Sequence, residues 1–207
     1  MADAHVAGRL GVRAELWLTI FTRDFDGGES CMKSSDCKRI LMSGYPGSGK
    51  STLGAALANS LGFTLISKDV MLMTLYTAFR FGPDDAAASL RTGAASWAVF
   101  WMQARLSPEA VLDTNVQWAN QHQRDELLGL GGTLLEVRCE CPPELAKKRY
   151  ADRAKVGHAA QRFTELDDDR LSAYGQAIGI GDLISVDTSG PVDLDKLVAE
   201  VRARLDS

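Results

Sequence analysis

The sequence predicts an α/β domain, because short apolar runs alternate with longer segments whose apolar residues recur at helical spacing. Five runs are typical of buried strands, and they lie at residues 40–42, 63–66, 110–112, 133–139 and 183–187. The remaining segments favour helices at residues 53–61, 70–79, 84–106, 117–130 and 192–205. A chain of 207 residues is long enough to bury the core of one such domain and to carry a helical insert.

A glycine-rich loop between the first strand and the first helix is the second observation that supports this fold. It follows the apolar run 40–42 and precedes a helix-forming run that stops at Gly62. The loop matches the pattern G-x-x-x-x-G-K-[ST] with Gly44, Tyr45, Pro46, Gly47, Ser48, Gly49, Lys50 and Ser51, followed by Thr52. The pattern alone also fits a glycine-rich turn that binds nothing, but its position between a strand and a helix favours a phosphate-binding loop.

The chemistry of this loop predicts that its ligand is a nucleoside triphosphate. Glycines let successive backbone N–H groups turn inward, and the following helix adds the positive end of its dipole. Lys50 is placed to reach the β- and γ-phosphates, and the Ser51 hydroxyl is placed to hold Mg²⁺. The sequence contains no Asn-Lys-x-Asp guanine-reading motif, which favours ATP over GTP.

Two carboxylates directly follow strands, Asp69 after the run 63–66 and Asp113 after the run 110–112. Ligands of open α/β sheets bind outside the carboxyl ends of the strands, so both carboxylates are expected beside the loop. Asp69 is predicted to accept the proton of an attacking hydroxyl, and Asp113 to hold Mg²⁺ or its waters. Structural roles also fit, with Asp69 as the N-cap of the next helix and Asp113 as a turn or cap residue.

Composition and charge are those of an ordinary globular protein. The formal net charge of −4 gives no basic footprint for nucleic acid. No apolar run approaches the roughly 18 residues of a membrane span, and the first residues lack the pattern of a signal peptide. We therefore expect a cytoplasmic protein without a membrane partner.

The four cysteines are Cys31, Cys37, Cys139 and Cys141. A one-residue gap rarely lets two thiolates share a tetrahedral ion, so the spacing of Cys139 and Cys141 disfavours a zinc site. We expect reduced thiols, which are the default for a cytoplasmic protein.

The chain outside the strands and the loop divides into an extension and a helical segment. Residues 1–37 predict a loosely ordered N-terminal extension, which leaves residues 38–207 as the folded domain. The helical segment at about 70–107 is rich in large side chains, most of which are expected to pack against the sheet. Its Arg80 and Arg91 are candidates for holding an anionic acceptor, although solvated surface arginines are commoner.

A basic segment follows the fourth strand. A charge run of this kind is usually a solvated helix face, but Arg149 and Arg153 are four residues apart and share one face. Further on, Thr164-x-x-Asp167 predicts a capping box that opens another helix.

Four places make the sequence resemble a known group of enzymes. They are residues 44–52, residues 67–69, residues 111–115 and the spacing Arg149-x-x-x-Arg153. Over residues 38–205 the chain resembles the P-loop small kinases, including ATP-binding proteins named as AAA domains, polynucleotide 5′-hydroxyl kinase, zeta toxins, chloramphenicol phosphotransferase and gluconate kinase. Residues 186–189 also resemble the strand and turn near the adenine in that group.

This resemblance implies a three-layer P-loop NTPase fold with a five-stranded parallel sheet, and Mg²⁺-ATP as the phosphoryl donor. It implies that Lys50 and Asp69 are catalytic, with Asp69 as the general base. Arg149 or Arg153 would then be the cation of a small lid at about 149–166, and the segment at about 70–107 would be an insert over the acceptor pocket. Several relatives carry an arginine three residues after the base, where this chain has Leu72, so an acceptor with a phosphate at that point is disfavoured.

The residues and the resemblance together predict an ATP-dependent kinase that transfers the γ-phosphoryl group to a hydroxyl of a small molecule. The nearest alternative within enzymes is a polynucleotide or nucleotide-sugar kinase, including a zeta toxin-like activity. Leu72 and the negative net charge disfavour a nucleic-acid end as the acceptor. An ATP-binding regulatory switch is the alternative from a different functional class.

Overall fold

The structure is a computed structural model that describes residues 36–79, 86–155 and 166–207. They belong to the unit Ser34–Ser207, one of two units into which the chain divides. Nearly all of the expected N-terminal extension, Arg80, and most of the expected lid beyond residue 155 lie outside the described residues.

Five parallel strands form one sheet with the first strand at its centre. The strands are β1 Lys38–Gly44, β2 Thr64–Ser67, β3 Glu109–Asp113, β4 Thr133–Glu140 and β5 Asp182–Asp187. Their order in the sheet is β2-β3-β1-β4-β5. β1 pairs with β3 along one edge and with β4 along the other, so it is the central strand, and every residue of it after Lys38 is buried.

Helices cover both faces of the sheet and produce three layers. In the described residues they are α1 Lys50–Leu61, α2 Lys68–Phe79, α3 Ala86–Leu106, α4 Gln121–Gly129, α5 Pro143–Lys155, α6 Asp168–Ser172 and α7 Leu194–Leu205. The predicted three-layer α/β fold with a five-stranded parallel sheet is confirmed. None of the helices in the described ranges has the length and apolar character needed to cross a lipid bilayer.

Each face of the sheet has its own hydrophobic core. On one face, Leu57 of α1 and Val201 of α7 are fully buried against β1, β3 and β4. On the other face, Phe100 and Trp101 of α3 pack with Leu127 of α4. The C-terminal half of the predicted insert therefore contributes to the core of the domain, as its large side chains indicated.

Two buried polar side chains on the second face, Arg39 and Glu136, are hydrogen-bonded by the surrounding backbone or side chains. Arg39 is 1% exposed and donates to the carbonyl oxygens of Ala104, Leu130 and Gly131, at the ends of α3 and α4. Carbonyls at helix C-termini lack helical partners and carry partial negative charge, so a cation is favoured there. Arg39 thus joins the central strand to two helices.

Glu136 of β4 is the matching buried anion. Its carboxylate accepts hydrogen bonds from Ser43 Oγ at 2.5 Å, and from the backbone N–H groups of Ile178 and Gly179 at 3.0 and 3.2 Å. A buried carboxyl group is costly unless it is hydrogen-bonded, and these donors satisfy its oxygen atoms. Glu136 therefore fastens the chain segment before β5 to the middle of the sheet.

Two predicted helix starts are corrected by the structure. The helix expected from Gln117 begins at Gln121, because the side chain of Asn120 caps it by accepting from the N–H of Gln123 at 3.1 Å. The helix expected to open with a Thr164-x-x-Asp167 box is capped by Asp167 itself, which accepts from the N–H of Arg170 at 2.8 Å.

Candidate active site

The phosphate loop, residues 44–51, joins β1 to α1 and has three glycines at positive φ, Gly44, Gly47 and Gly49, of which the first two also leave no room for a Cβ atom. Gly44 has φ 119° and Gly47 has φ 86°, a region that residues with a side chain rarely adopt. A Cβ atom on Gly44 would lie 2.3 Å from the carbonyl oxygen of Cys139, and one on Gly47 would lie 2.4 Å from that of Ala146. The loop is therefore packed without spare room against β4 and α5.

Lys50 begins α1, and its side chain turns back to the loop. Its Nζ donates to the carbonyl oxygens of Gly44 at 2.9 Å and Tyr45 at 2.7 Å. The residue is 6% exposed, and burial lowers the pKa of Lys50 to about 8. The negative charges of Asp113 and Asp69 act in the opposite direction and raise this pKa, but by less than burial lowers it. The amine is therefore a desolvated cation that gains strongly from an added anion.

Asp113 ends β3, and the strand register places it beside Met42 of β1 and Ser67 of β2. Ser51 Oγ donates to Asp113 Oδ1 at 3.1 Å, and Ser67 Oγ donates to Oδ2 at 2.9 Å. Burial raises the pKa of Asp113, while the two hydroxyl hydrogen bonds and the charge of Lys50 act in the opposite direction. The carboxylate thus links the start of α1 to the carboxyl ends of two strands.

The pair Ser51 and Asp113 fits the coordination chemistry of Mg²⁺. Both supply hard oxygen atoms, and Mg²⁺ commonly takes only one or two protein ligands together with phosphate oxygens and waters. The described ranges contain no group of three or more His, Cys, Asp or Glu side chains placed to share a metal ion. The donor set therefore suits an ion completed by phosphate rather than one enclosed by protein alone.

Asp69 lies in the first turn of α2, so it is part of that helix rather than the N-cap of a helix that starts at residue 70. A carboxylate in a first turn is favoured by the helix dipole. Lys68 Nζ lies 3.7 Å from Asp69 Oδ1, and the Asp69 side chain is 39% exposed. Asp69 is therefore fixed at its backbone and remains accessible to solvent and ligands.

The two arginines of α5 have different surroundings. The guanidinium of Arg149 donates to the carbonyl oxygens of Thr188 at 2.9 Å and Ser189 at 3.3 Å, in the turn after β5. Arg153 lies over the ring of Tyr150 at 5.3 Å, and its charge contributes to the lowered pKa of Lys50. Arg149 is thus held toward the β5 turn, whereas Arg153 acts on the amine at the phosphate loop.

One cavity of about 600 Å³ brings these groups together. The predicted residues that line it are Pro46, Gly47, Gly49, Lys50, Ser51, Thr52, Asp69, Asp113, Arg149 and Arg153. Gly44, Tyr45 and Ser48 are outside this lining, as is Arg91, whose Nε bonds to Ala87 of its own helix. The carboxyl ends of neighbouring strands thus meet at the phosphate loop, as the positions of Asp69 and Asp113 indicated.

The sequence interpretation missed part of the lining. One end of the cavity is formed by the β5 turn, α1 and the start of α7, through Thr188, Gly190, Pro191, Val192, Leu194, Leu53 and Ala56. The similarity of residues 186–189 to an adenine-side turn pointed to this end but not to the apolar side chains that follow. Thr114 and Asn115 also line the cavity, directly after Asp113.

Three of the four cysteines lie in the described residues, and Cys37, Cys139 and Cys141 are free. Burial raises the pKa of Cys139 to about 12, so this thiol stays protonated at neutral pH although Lys50 is near. Cys139 therefore behaves as a packing residue behind the phosphate loop.

Comparison with known proteins places the chain in a family and in a group of similar folds. A family model described as an AAA domain matches residues 40–176. No curated protein matches the chain. A structure from Chloroflexus aurantiacus J-10-fl, described as a candidate kinase, is 24% identical, with a TM-score of 0.68, and the match covers 82% of this chain and 99% of that one.

Two further solved structures share the fold at lower similarity. Shikimate kinase from Acinetobacter baumannii, in complex with shikimate, is 19% identical with a TM-score of 0.52, covering 81% of this chain and 92% of that one. The APS kinase CysC of Mycobacterium tuberculosis, in complex with AMPPNP and APS, is 20% identical with a TM-score of 0.52, covering 83% and 99%. These similarities establish the fold. Because the family model spans more than half of the chain, the protein belongs to this AAA-domain family and has the fold of the P-loop small kinases.

Proposed function

We propose that the protein transfers the γ-phosphoryl group of Mg²⁺-ATP to a hydroxyl of a small molecule. The observation that carries this proposal is that one cavity is lined by the phosphate loop, by the carboxylates of Asp69 and Asp113 and by two arginines of α5. Phosphoryl transfer needs positioned reactants, a base and cations around the transferred group, and each has a candidate there. The similar structures that hold shikimate, or AMPPNP with APS, give this fold precedents for such ligands.

ATP would extend along the cavity from the β5 turn to Lys50. The base would lie at the end formed by Pro191, Val192 and Leu194, and the phosphates would lie against the loop and the N-terminus of α1. There the γ-phosphate would replace the carbonyl oxygens of Gly44 and Tyr45 as partners of Lys50. Ser51 and Asp113 would hold Mg²⁺, which supplies charge neutralisation to the phosphates when bound.

Asp69 would act as the general base. The acceptor hydroxyl oxygen forms a bond to the γ-phosphorus, the bond from this phosphorus to the β–γ bridging oxygen breaks, and its electron pair leaves on ADP. The hydroxyl proton passes to the Asp69 carboxylate and then to solvent. The partial exposure of Asp69 allows an acceptor to reach it.

Arg149 and Arg153 have different surroundings, and we assign them different roles. Arg153 would stabilise charge on the transferred phosphoryl group, because it lines the same cavity as Lys50 and Asp69. Arg149 would position the β5 turn at the base end, since it binds the carbonyl oxygens of Thr188 and Ser189.

We expect Arg153→Met to lower kcat by about 10²–10³ with little change in ATP affinity. Arg149→Met, its matched partner, is expected to raise KM for ATP and to lower Tm, because it loses two bonds to the β5 turn. Steady-state kinetics and thermal unfolding of both variants measure this division. The opposite assignment, with kcat lost in Arg149→Met and KM raised in Arg153→Met, would contradict it.

The affinity for ATP is expected to weaken as the pH rises through about 8. Above that pH the free protein has lost the Lys50 proton that the complex retains, so Kd rises by up to about tenfold per pH unit. Titration calorimetry with a non-hydrolysable ATP analogue, from about pH 7 to about pH 9.5, measures this dependence. A constant Kd over the range would show that Lys50 does not exchange its loop carbonyls for phosphate.

The test of the proposed function is transfer of label from γ-labelled ATP to pooled acceptors. The pools are nucleosides, sugars and polyols, antibiotics, nucleotide-sugars, and RNA or DNA ends. Label in a small-molecule pool supports the proposal and names the substrate class. Label that appears only as inorganic phosphate in every pool would overturn it and favour a regulatory NTPase.

A further inference from the structure

Two neighbouring residues that line the cavity each carry a buried polar atom that has no hydrogen-bond partner among the described residues. The two atoms are Thr114 Oγ1 and Asn115 Oδ1. Thr114 is only 3% exposed, and both residues line the cavity that Asp69 and Asp113 also line. The two atoms follow Asp113 at the carboxyl end of β3, which is the edge of the sheet where ligands bind in open α/β folds.

Other polar side chains near these two atoms do have hydrogen-bond partners. The neighbouring hydroxyls of Ser51 and Ser67 both bond to Asp113. Ser48 Oγ and Arg138 Nη1 are the other buried side-chain atoms without a partner in the described ranges, and neither residue lines the cavity. Because buried polar groups are nearly always hydrogen-bonded, two adjacent exceptions that share a cavity wall indicate a ligand-binding position.

The chemistry of the two atoms selects the kind of group that binds there. An amide oxygen only accepts, whereas a threonine hydroxyl both donates and accepts. One hydroxyl of a ligand satisfies both, by donating to Asn115 and accepting from Thr114. Asp69 and Asp113 line the same cavity, and the cations that also line it, Lys50, Arg149 and Arg153, would be engaged by the phosphates of ATP and by the β5 turn, so a neutral group is favoured at this position.

We infer that Thr114 and Asn115 bind a second hydroxyl of the acceptor, beside the hydroxyl that is phosphorylated. The acceptor class is then a neutral polyhydroxy compound, such as a sugar or polyol. This inference rests on the proposed kinase function. The second hydroxyl keeps its proton throughout, and only the hydroxyl that faces Asp69 gives up its proton.

The test uses the full chain, γ-labelled ATP and pairs of acceptors that differ by one hydroxyl. Each pair is a sugar or polyol with neighbouring hydroxyls and its monodeoxy counterpart. The wild-type protein is expected to prefer the intact member of an accepted pair by about tenfold or more in kcat/KM, because the deoxy analogue leaves buried polar groups unpaired. Monohydric alcohols and phosphorylated sugars serve as further comparison acceptors.

Two variants assign this preference to the residues. Thr114→Val keeps the shape of the side chain and removes its hydroxyl, and Asn115→Leu removes its amide. Each is expected to reduce the preference for the intact acceptor to about threefold or less, with KM for ATP unchanged. Tm should not fall in Thr114→Val, because the hydroxyl removed has no partner in the described protein. Thr133→Val, at the opposite end of the sheet, and Asn59→Leu, on the exposed side of α1, are matched controls.

The outcomes separate this inference from the proposed function. Equal use of intact and deoxy acceptors by the wild-type protein, or an undiminished preference in both variants, overturns the inference while transfer itself still supports a kinase. Transfer only to phosphorylated small molecules likewise overturns the inference alone, whereas transfer only to nucleic-acid ends overturns the inference and the proposed small-molecule acceptor together. If no acceptor of any class receives label, the proposed function fails and the inference fails with it.

Discussion

Lys50→Met is expected to lower the rate of phosphoryl transfer by a factor of at least about 10³. The phosphates then lose the one buried cationic side chain of the phosphate loop, residues 44–51. The variant should nevertheless stay folded. The pKa of Lys50 in the folded protein lies near 8, below the ordinary lysine value of 10.5, so at neutral pH the folded protein bears the cost of a desolvated ammonium. This contribution disfavours folding below about pH 8 and disappears as the pH rises toward 10.5, where the unfolded chain also loses the proton.

Methionine has a similar length to lysine and carries no charge. Lys50→Met therefore removes the cost of the desolvated ammonium, and it also removes the two hydrogen bonds to loop carbonyls. We therefore expect Tm at neutral pH to be unchanged or higher, while ATP binding and transfer are lost. Calorimetric titration and thermal unfolding measure both effects. Lys148→Met, at an exposed lysine of α5, is the matched control and should leave both unchanged. A variant that keeps wild-type transfer would contradict the role of Lys50.

Gly47→Ala is expected to have the second large effect. The backbone at Gly47 has φ 86°, and the new Cβ would lie 2.4 Å from the carbonyl oxygen of Ala146 in α5. The left-handed conformation alone costs a residue with a side chain about 1–2 kcal/mol. The contact is with backbone, so the loop or the start of α5 must move. We expect ATP affinity to fall by about 10² or more and Tm to fall as well.

Gly129→Ala provides the control for this substitution. Gly129 is the last residue of α4, and a Cβ atom there would meet nothing within 4 Å. Alanine also favours helix, so the variant should be as stable as the wild type or more stable by up to about 1 kcal/mol. Wild-type ATP affinity in Gly47→Ala would show that the loop does not need its observed conformation.

The parts of the fold that the sequence predicted are those determined by local patterns. The runs at 40–42 and 110–112 correspond to β1 and β3, because strands buried on both faces are apolar throughout. The start of α4 was wrong because Asn120, an internal cap, determines it. The order of the strands in the sheet was not predicted, since apolar runs do not show which strands are neighbours.

In the candidate site too, local patterns predicted some residues, and tertiary packing determines the others. Lys50 and Ser51 belong to a contiguous motif. Asp113 ends β3 and Asp69 follows the end of β2 by two residues, and the carboxyl ends of these strands meet, so their approach could be predicted. Pro191 and Val192 come to the cavity through the packing of α7 on α1, which no local pattern shows. Glu136 looked like an ordinary charged residue in a strand, because its partners lie more than forty positions away.

The most direct test of the account is transfer of the γ-label by Asp69→Asn, with Asp125→Asn as the control. Asp125 is an exposed aspartate of α4 whose carboxylate accepts from Gln121. With the acceptor pool that the wild-type protein uses, we expect Asp69→Asn to lose transfer by about 10²–10⁴ while it binds ATP with wild-type affinity. Asp125→Asn should transfer normally. Transfer that is unchanged in Asp69→Asn would contradict the central claim that this cavity is the site of a hydroxyl-directed kinase with Asp69 as its base.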